Sequence, residues 1–187
     1  MAIPELKFYE PADANDLYNV FSHAFTENKG VNYVRLSKKP IILERNKEDE
    51  DNIGAYFVHK EKDNPDVLII SSGFTVENCV KAAKELKTEY NMAVNVINVV
   101  SPKLFNLYAP KLITCDCPIL TVYNGDASIL SRYISDAIIT NPNIPRPRMM
   151  DTQGFMIGTT GSLDDLVKYY GFDTESIKGK TLNLRRK

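Results

Sequence analysis

Residues 66–100 constrain the fold of this chain more than any other stretch. The apolar run Val67-Leu68-Ile69-Ile70-Ser71 leads into a turn at Gly73, and a second apolar run, Ala93-Val94-Asn95-Val96-Ile97-Asn98-Val99-Val100, closes the segment. Between them, residues 76–90 repeat at helical spacing. Val80, Ala83 and Leu86, with Ala82 and Tyr90, fall on one face, and Glu77, Lys81, Lys84, Glu85 and Lys87 fall on the other. Strand, helix, strand in this order is a βαβ unit, and its usual home is a parallel sheet covered on both faces. Such a unit sets backbone N–H groups and a helix N-terminus at the carboxyl edge of the sheet, where α/β proteins hold ligands or partners.

The remaining segments extend this unit. Residues 6–9 read as a short strand. Asp13, with Asp16 three residues on, caps a helix over residues 14–27 whose apolar stripe is Leu17, Val20, Phe21, Ala24 and Phe25, and Gly30 ends it. Residues 31–36 and 53–59 read as strands. The short polar turn at residues 60–65 allows the second of them to pair antiparallel with Val67–Ser71. Residues 44–52 are charged and read as a linker or exposed loop. Residues 102–107 form a helical turn, 118–123 a strand, 129–139 a helix with Ile129, Ile134, Ala137 and Ile138 inward, and 148–151 a last strand. Ser162 and Asp165 make a capping box for a helix that Gly171 stops, and Asp173 caps a final short helix toward Lys178. The expected fold class is α/β: a three-layer αβα sandwich with a mostly parallel five-stranded sheet and one antiparallel edge strand.

Composition removes several functions. With 23 basic and 24 acidic residues the net charge is −1, so nothing favours nucleic acid or an anionic membrane surface. The apolar runs are strand-sized, far short of a membrane span. The N-terminus lacks the apolar core of a signal peptide. Cys79, Cys115 and Cys117 are an odd set and fit reduced thiols in a cytoplasmic protein. Cys115-Asp116-Cys117 is not a zinc spacing, and the only histidines are His23 and His59.

The familiar catalytic motifs are missing too. No Gly-x-Gly-x-x-Gly follows a strand, and Gly179-Lys180-Thr181 lacks the upstream glycine of a phosphate-binding loop, so it reads as a solvated tail. Ser71-Ser72-Gly73 and Asn124-Gly125-Asp126 read as turns rather than as a nucleophile and half a metal loop. Gly158-Thr159-Thr160-Gly161-Ser162 could offer N–H groups to an anion but reads as a loop with a good helix cap.

A family resemblance runs through these residues. Phe8-Tyr9-Glu10-Pro11-Ala12-Asp13-Ala14-Asn15-Asp16 resembles the aromatic-x-Pro-Ala-Asp-x-Asn-Glu segment that opens the last helix of the transketolase pyrimidine-binding domain. Tyr33-Val34-Arg35-Leu36-Ser37-Lys38 is similar to that domain's final strand, which ends in Leu-Ser-Arg. Gly54-Ala55-Tyr56 and Asp66-Val67-Leu68-Ile69-Ile70-Ser71-Ser72-Gly73-Phe74-Thr75-Val76 are similar to the family's Gly-Gly-Tyr and Asp-Val-x-Ile-x-Ala-Thr-Gly-Ser-Glu-Val. The Gly158–Ser162 run with Leu166 and Tyr170-Gly171-Phe172 resembles the family's ending, and favours transketolase over the β subunit of a 2-oxo acid dehydrogenase.

The resemblance implies that residues 1–45 are the end of a pyrimidine-binding domain and residues 46–187 a transketolase C-terminal domain. It implies transfer of a two-carbon ketol unit between sugar phosphates, with thiamine diphosphate and Mg²⁺ in the full dimeric, cytoplasmic enzyme. The family's cofactor-activating Glu, its pyrimidine pocket and its substrate-contacting His and Asp belong to segments preceding Met1. No catalytic, cofactor-binding or metal-ligating residue is therefore expected here, and the chain is expected to be inactive alone. Its expected partner is the N-terminal portion of a transketolase or a second copy of itself. The family's phosphate-binding Arg corresponds to Lys38, a point charge rather than a bidentate fork, with Lys39 beside it as a substitute. The family's acidic residue after the central strand is replaced by Tyr123-Asn124. A stand-alone α/β module that binds a protein or an anion is the alternative reading.

Overall fold

The computed structural model describes residues 5–26, 30–44, 52–145, 147–151 and 160–185. The strands are β1 (Lys7–Tyr9), β2 (Asn32–Val34), β3 (Ala55–His59), β4 (Val67–Ser71), β5 (Val94–Val99), β6 (Ile119–Val122) and β7 (Met149–Asp151). The helices are α1 (Ala14–Thr26), α2 (Thr75–Tyr90), α3 (Phe105–Leu112, entered through a 3-10 turn at Pro102–Leu104), α4 (Ala127–Thr140), α5 (Leu163–Tyr169) and α6 (Thr174–Arg185).

The main sheet has the order β3-β5-β4-β6-β7. Strands β5, β4, β6 and β7 run parallel, and β3 lies antiparallel at the edge against β5. Alternation along β4 divides the core. Val67 and Ile69 face α2 and α6, packing with Val76, Cys79, Ala83, Leu86, Ile177 and Leu184. Leu68 and Ile70 face α3 and α4, packing with Phe105, Ala109, Leu130 and Ile134. The fold is thus the expected three-layer α/β sandwich.

A βαβ unit precedes it. Strands β1 and β2 pair in parallel through α1, which Asp13 caps by accepting from the Asp16 N–H at 3.0 Å. This unit is fastened to the carboxyl end of β5. The Glu10 N–H donates to the Val100 carbonyl at 2.7 Å, and the Ser101 hydroxyl donates to the Phe8 carbonyl at 2.9 Å. Below these bonds Asp16, fully buried, accepts from the Ala12 N–H (2.9 Å), Asn98 Nδ2 (2.9 Å) and the Tyr56 hydroxyl (3.1 Å).

Several expectations are corrected. Strand β3 pairs with β5 and not with β4. Both edges of β4 are already taken, by β5 across the α2 crossover and by β6, so the preceding strand is displaced outward. Cys115 and Cys117 are joined as a disulfide rather than left as thiols. The turn at Asp116 brings their Cα atoms to 5.4 Å, inside the bridging range. Cys79 stays free, and burial pushes its thiol up to about 12.

The last helix runs to Arg185 rather than stopping near Lys178, so Gly179-Lys180-Thr181 is not a solvated tail. Thr181 is buried, and Lys178 reaches Glu85 and Glu89 of α2 at 2.8 Å and Glu175 at 3.1 Å. Those hydrogen bonds raise the Lys178 ammonium pKa and keep it charged. Tyr90 points outward, 51% exposed, past the left-handed cap at Asn91. Residues 45–51 of the proposed linker, and Gly158 and Thr159 of the Gly158–Ser162 run, lie outside the described residues.

Candidate functional site

A cleft of about 320 Å³ opens at the carboxyl edge of the main sheet, where the small unit meets it. Gly73 and Phe74, after β4, and Asn124, after β6, form its floor. Glu10 and Pro11, after β1, and Arg35 to Lys38, after β2, form one wall. Leu163 and Leu166 of α5 form the other. The location follows from the topology, since adjacent parallel strands leave a crevice beyond their carboxyl ends.

Arg35 organises the polar wall. Its Nη1 donates to Glu10 Oε1 at 3.1 Å and to the Tyr123 hydroxyl at 3.3 Å, and its Nη2 donates to the Asn124 carbonyl at 3.0 Å. The guanidinium also lies 5.7 Å from the Tyr123 ring centroid. Glu10 is 3% exposed, and burial raises its carboxyl above the usual range while Arg35 and a hydrogen bond from Tyr123 pull it back in part. The same burial, with the Glu10 charge alongside, raises the Tyr123 phenol. Gly73 is required here twice over. Its φ of +63° is the left-handed turn, and a Cβ on it would sit 2.8 Å from Glu10 Oε1.

Two acceptors on residues that line the cleft have no donor among the described residues. They are Glu10 Oε2 and Asn124 Oδ1, both buried.

The residues singled out from the sequence fall in different places. Lys38 lines the cleft mouth and is exposed. Lys39 turns away from the cleft and pairs with Glu77 at 3.4 Å, so it does not stand in for Lys38. His23 lies on α1, and His59 sits at the end of β3 beside Glu61 at 3.2 Å, remote from the cleft lining. Ser71 and Ser72 are buried and bonded to Thr75 Oγ1 (2.8 Å) and the Val99 carbonyl (2.6 Å), which makes them turn-builders. Asp126 accepts from the Ser128 N–H at 3.0 Å and caps α4, leaving Asn124-Gly125-Asp126 as a turn. No group of three or more His, Cys, Asp or Glu among the described residues is arranged to hold a metal ion.

The Arg35, Glu10, Tyr123 and Asn124 cluster is what reading the sequence missed. Its members lie 25 to 89 positions from Arg35. The signal that could have found it is the placement of Glu10, Arg35, Gly73 and Asn124 each just after a strand.

Comparisons with known proteins agree on one family. The model of the transketolase-like TK C-terminal domain matches residues 54–173. The transketolase of Sinorhizobium medicae is 25% identical over 100% of this chain and 26% of its own length. Transketolase 1 of Candida albicans is 26% identical over 94% of this chain and 24% of its own. The chain therefore spans about a quarter of the length of these curated relatives. Among solved structures, a split gene transketolase described as an inactive beta4 tetramer superposes with a TM-score of 0.77. It is 18% identical, over 99% of this chain and 59% of that one, a likeness of fold.

Proposed function

From the premise that the chain belongs to the transketolase-like C-terminal domain family, we propose that it serves as the C-terminal part of a thiamine diphosphate enzyme transferring two-carbon ketol units between sugar phosphates. In this reading residues 1–45 complete a pyrimidine-binding domain and residues 46–187 form the C-terminal domain. The chain works in the cytoplasm, in pentose phosphate metabolism, as part of a dimeric assembly, and is inactive alone. The observation that carries the reading is the family match over residues 54–173, in a chain whose Lys38 stands at the mouth of the sheet-edge cleft.

The chemistry left to this chain is binding and support. When bound in the complete enzyme, thiamine diphosphate supplies the nucleophilic carbon and Mg²⁺ holds its diphosphate. Among the described residues no group of three or more His, Cys, Asp or Glu is arranged to hold that metal. Lys38 holds the substrate phosphate by charge. Tyr18, Phe25 and Val31 of the small unit, and Ile42 after it, are 73%, 83%, 66% and 93% exposed, and in this reading a partner covers them. The N-terminal portion of a transketolase is the cover we favour, because the curated relatives are about four times longer. The split gene transketolase described as an inactive beta4 tetramer supports this pairing.

Mixing the chain with such an N-terminal portion, thiamine diphosphate and Mg²⁺ should give ketol transfer that neither part gives alone. No activity from the mixture, with the chain instead forming only copies of itself, counts against the reading. In the active mixture Lys38→Ala should raise KM for phosphorylated sugars about tenfold with little change in kcat, the mark of uniform binding. Unchanged kinetics remove Lys38 from the site.

A further inference from the structure

We propose that Cys115 and Cys117 are a reversible dithiol–disulfide couple, a redox-responsive site that exchanges with small thiols through the Cys115 sulfur. The inference goes beyond the ketol-transfer reading and uses no part of it. The bond joins residues two positions apart in sequence. A cross-link stabilises a fold mainly by closing a loop in the unfolded chain, and that effect shrinks with the loop. This bond therefore adds little as a staple. The fold also fastens both ends of the turn without it. The Ile113 N–H donates to the Ala109 carbonyl at 2.8 Å, the Leu68 N–H to the Pro118 carbonyl at 2.9 Å and the Ile119 N–H to the Arg148 carbonyl at 2.8 Å. Cys117 is 8% exposed and belongs to the apolar layer that holds Ile119 and Ile138. Opening the bond leaves that frame in place.

Position decides which sulfur reacts. Cys115 is half-buried and lines a groove of about 200 Å³ with Pro65, Leu68 and Asn95, at the amino edge of the sheet and opposite the cleft. The charged groups of that lining are Lys60, Lys111 and Asp63. Lys60 is paired with Asp63 at 2.8 Å, which leaves Lys111 as a positive charge that favours a thiolate in the groove. Asp116, between the cysteines, is exposed and outside the lining. A small thiolate attacks Cys115 Sγ and forms a mixed disulfide. The old S–S bond breaks, its electron pair leaves on Cys117 Sγ, and Cys117 takes up the proton that the small thiol gave up. A second small thiolate attacks the sulfur of the first and releases Cys115, which is protonated in turn. Two electrons and two protons thus pass from two small thiols to the couple, and the small thiols leave as their disulfide. Reoxidation runs the same steps backward, and its last step is intramolecular because the two thiols stay on one pinned turn. Cys79 takes no part, since it is fully buried and its thiol is pushed up to about 12.

Thiol trapping on the intact 187-residue chain tests it. The chain is equilibrated in mixtures running from oxidised to reduced glutathione, quenched with iodoacetamide and weighed by mass spectrometry. Cys115 and Cys117 should gain their labels together, in one two-electron transition inside that range, and a return to oxidised glutathione should remove both sites. The reduced chain should stay folded with Cys79 unlabelled, its thermal midpoint lower by no more than about 6 °C. A bond that survives reduced glutathione alone, or thiols that persist in oxidised glutathione alone, overturns the proposal. So does reduction that unfolds the chain and labels Cys79, which would make the bond a staple. Two variants fix the direction of attack. In oxidised glutathione Cys117→Ser should carry one glutathione on Cys115, and Cys115→Ser should carry several-fold less on the buried Cys117. The reverse preference overturns the role given to Cys115. Where a variant does not fold, the titration of the natural chain decides alone. None of these measurements reads ketol transfer, so their failure leaves the proposed function standing, and an inactive mixture leaves the couple standing.

Discussion

The small unit of β1, α1 and β2 and the five-stranded sheet are held by different forces. The sheet is fixed by apolar layers on both faces, with Leu68, Ile69, Ile70, Val94, Val96, Ile97, Ile119 and Leu120 all at or near zero exposure. The small unit has two strands of three residues and a helix with Tyr18 and Phe25 turned outward. It is tied down by a few apolar contacts, such as Tyr9, Val20, Tyr56 and Val100, and by a polar latch of Asp16, Tyr56 and Asn98. Apolar layers supply most of the stability of a fold and tolerate small shifts. A buried polar latch adds little net stability but is expensive to break, and it fixes one orientation. The sheet is therefore the scaffold, and the latch sets how Arg35, Lys38 and Glu10 face the cleft.

Breaking the scaffold should have the largest effect. Ile70→Ala removes a fully buried side chain from the centre of β4 and should cost about 2–5 kcal/mol of global stability, read from the urea midpoint. Breaking the latch should cost less and act locally. Asp16→Ala leaves the Tyr56 hydroxyl and the Ala12 N–H without their Asp16 acceptor, about 1–3 kcal/mol, and should speed amide exchange in α1 while leaving β4 and β5 protected.

The smallest effect sharpens the comparison through pH. Glu10 has its carboxyl raised, by burial first, above the ordinary value of 4.5. A carboxyl raised in the fold binds its proton more tightly there than when unfolded. Its contribution is complete below the unfolded value and is lost as pH rises through the folded one. Wild type should therefore lose stability over that window relative to Glu10→Gln, whose amide does not titrate. Urea midpoints of the two proteins should diverge as pH is raised from about 4 toward neutrality. A constant difference would show that Glu10 titrates normally.

Much of this was legible in the residues. The βαβ unit of β4, α2 and β5 is announced by its apolar runs and by Gly73, because a strand buried on both faces has to be apolar along its whole length. The caps at Asp13, Ser162 and Asp173 are local chemistry and are found where the spacing puts them. The partner of β3 was not legible. A short polar turn argues for a hairpin, but the outcome is decided by β5 and β6 occupying both sides of β4, a competition that no local pattern records. The length of α6 was hidden by Gly179, which has open space around it and costs the helix little more than propensity while Ile177, Thr181 and Leu184 pack. At the cleft, Lys38 stood out by resemblance. Arg35, Glu10 and Tyr123 did not, because their role exists only when β1, β2 and β6 end side by side.

Native-state amide exchange on the intact chain tests the contrast between scaffold and latch most directly. The account predicts that β4, β5 and β6 exchange only through global unfolding, while β1, α1 and β2 open at a distinctly lower free energy as one unit. Equal protection across β1, β2, β4 and β5 would contradict it.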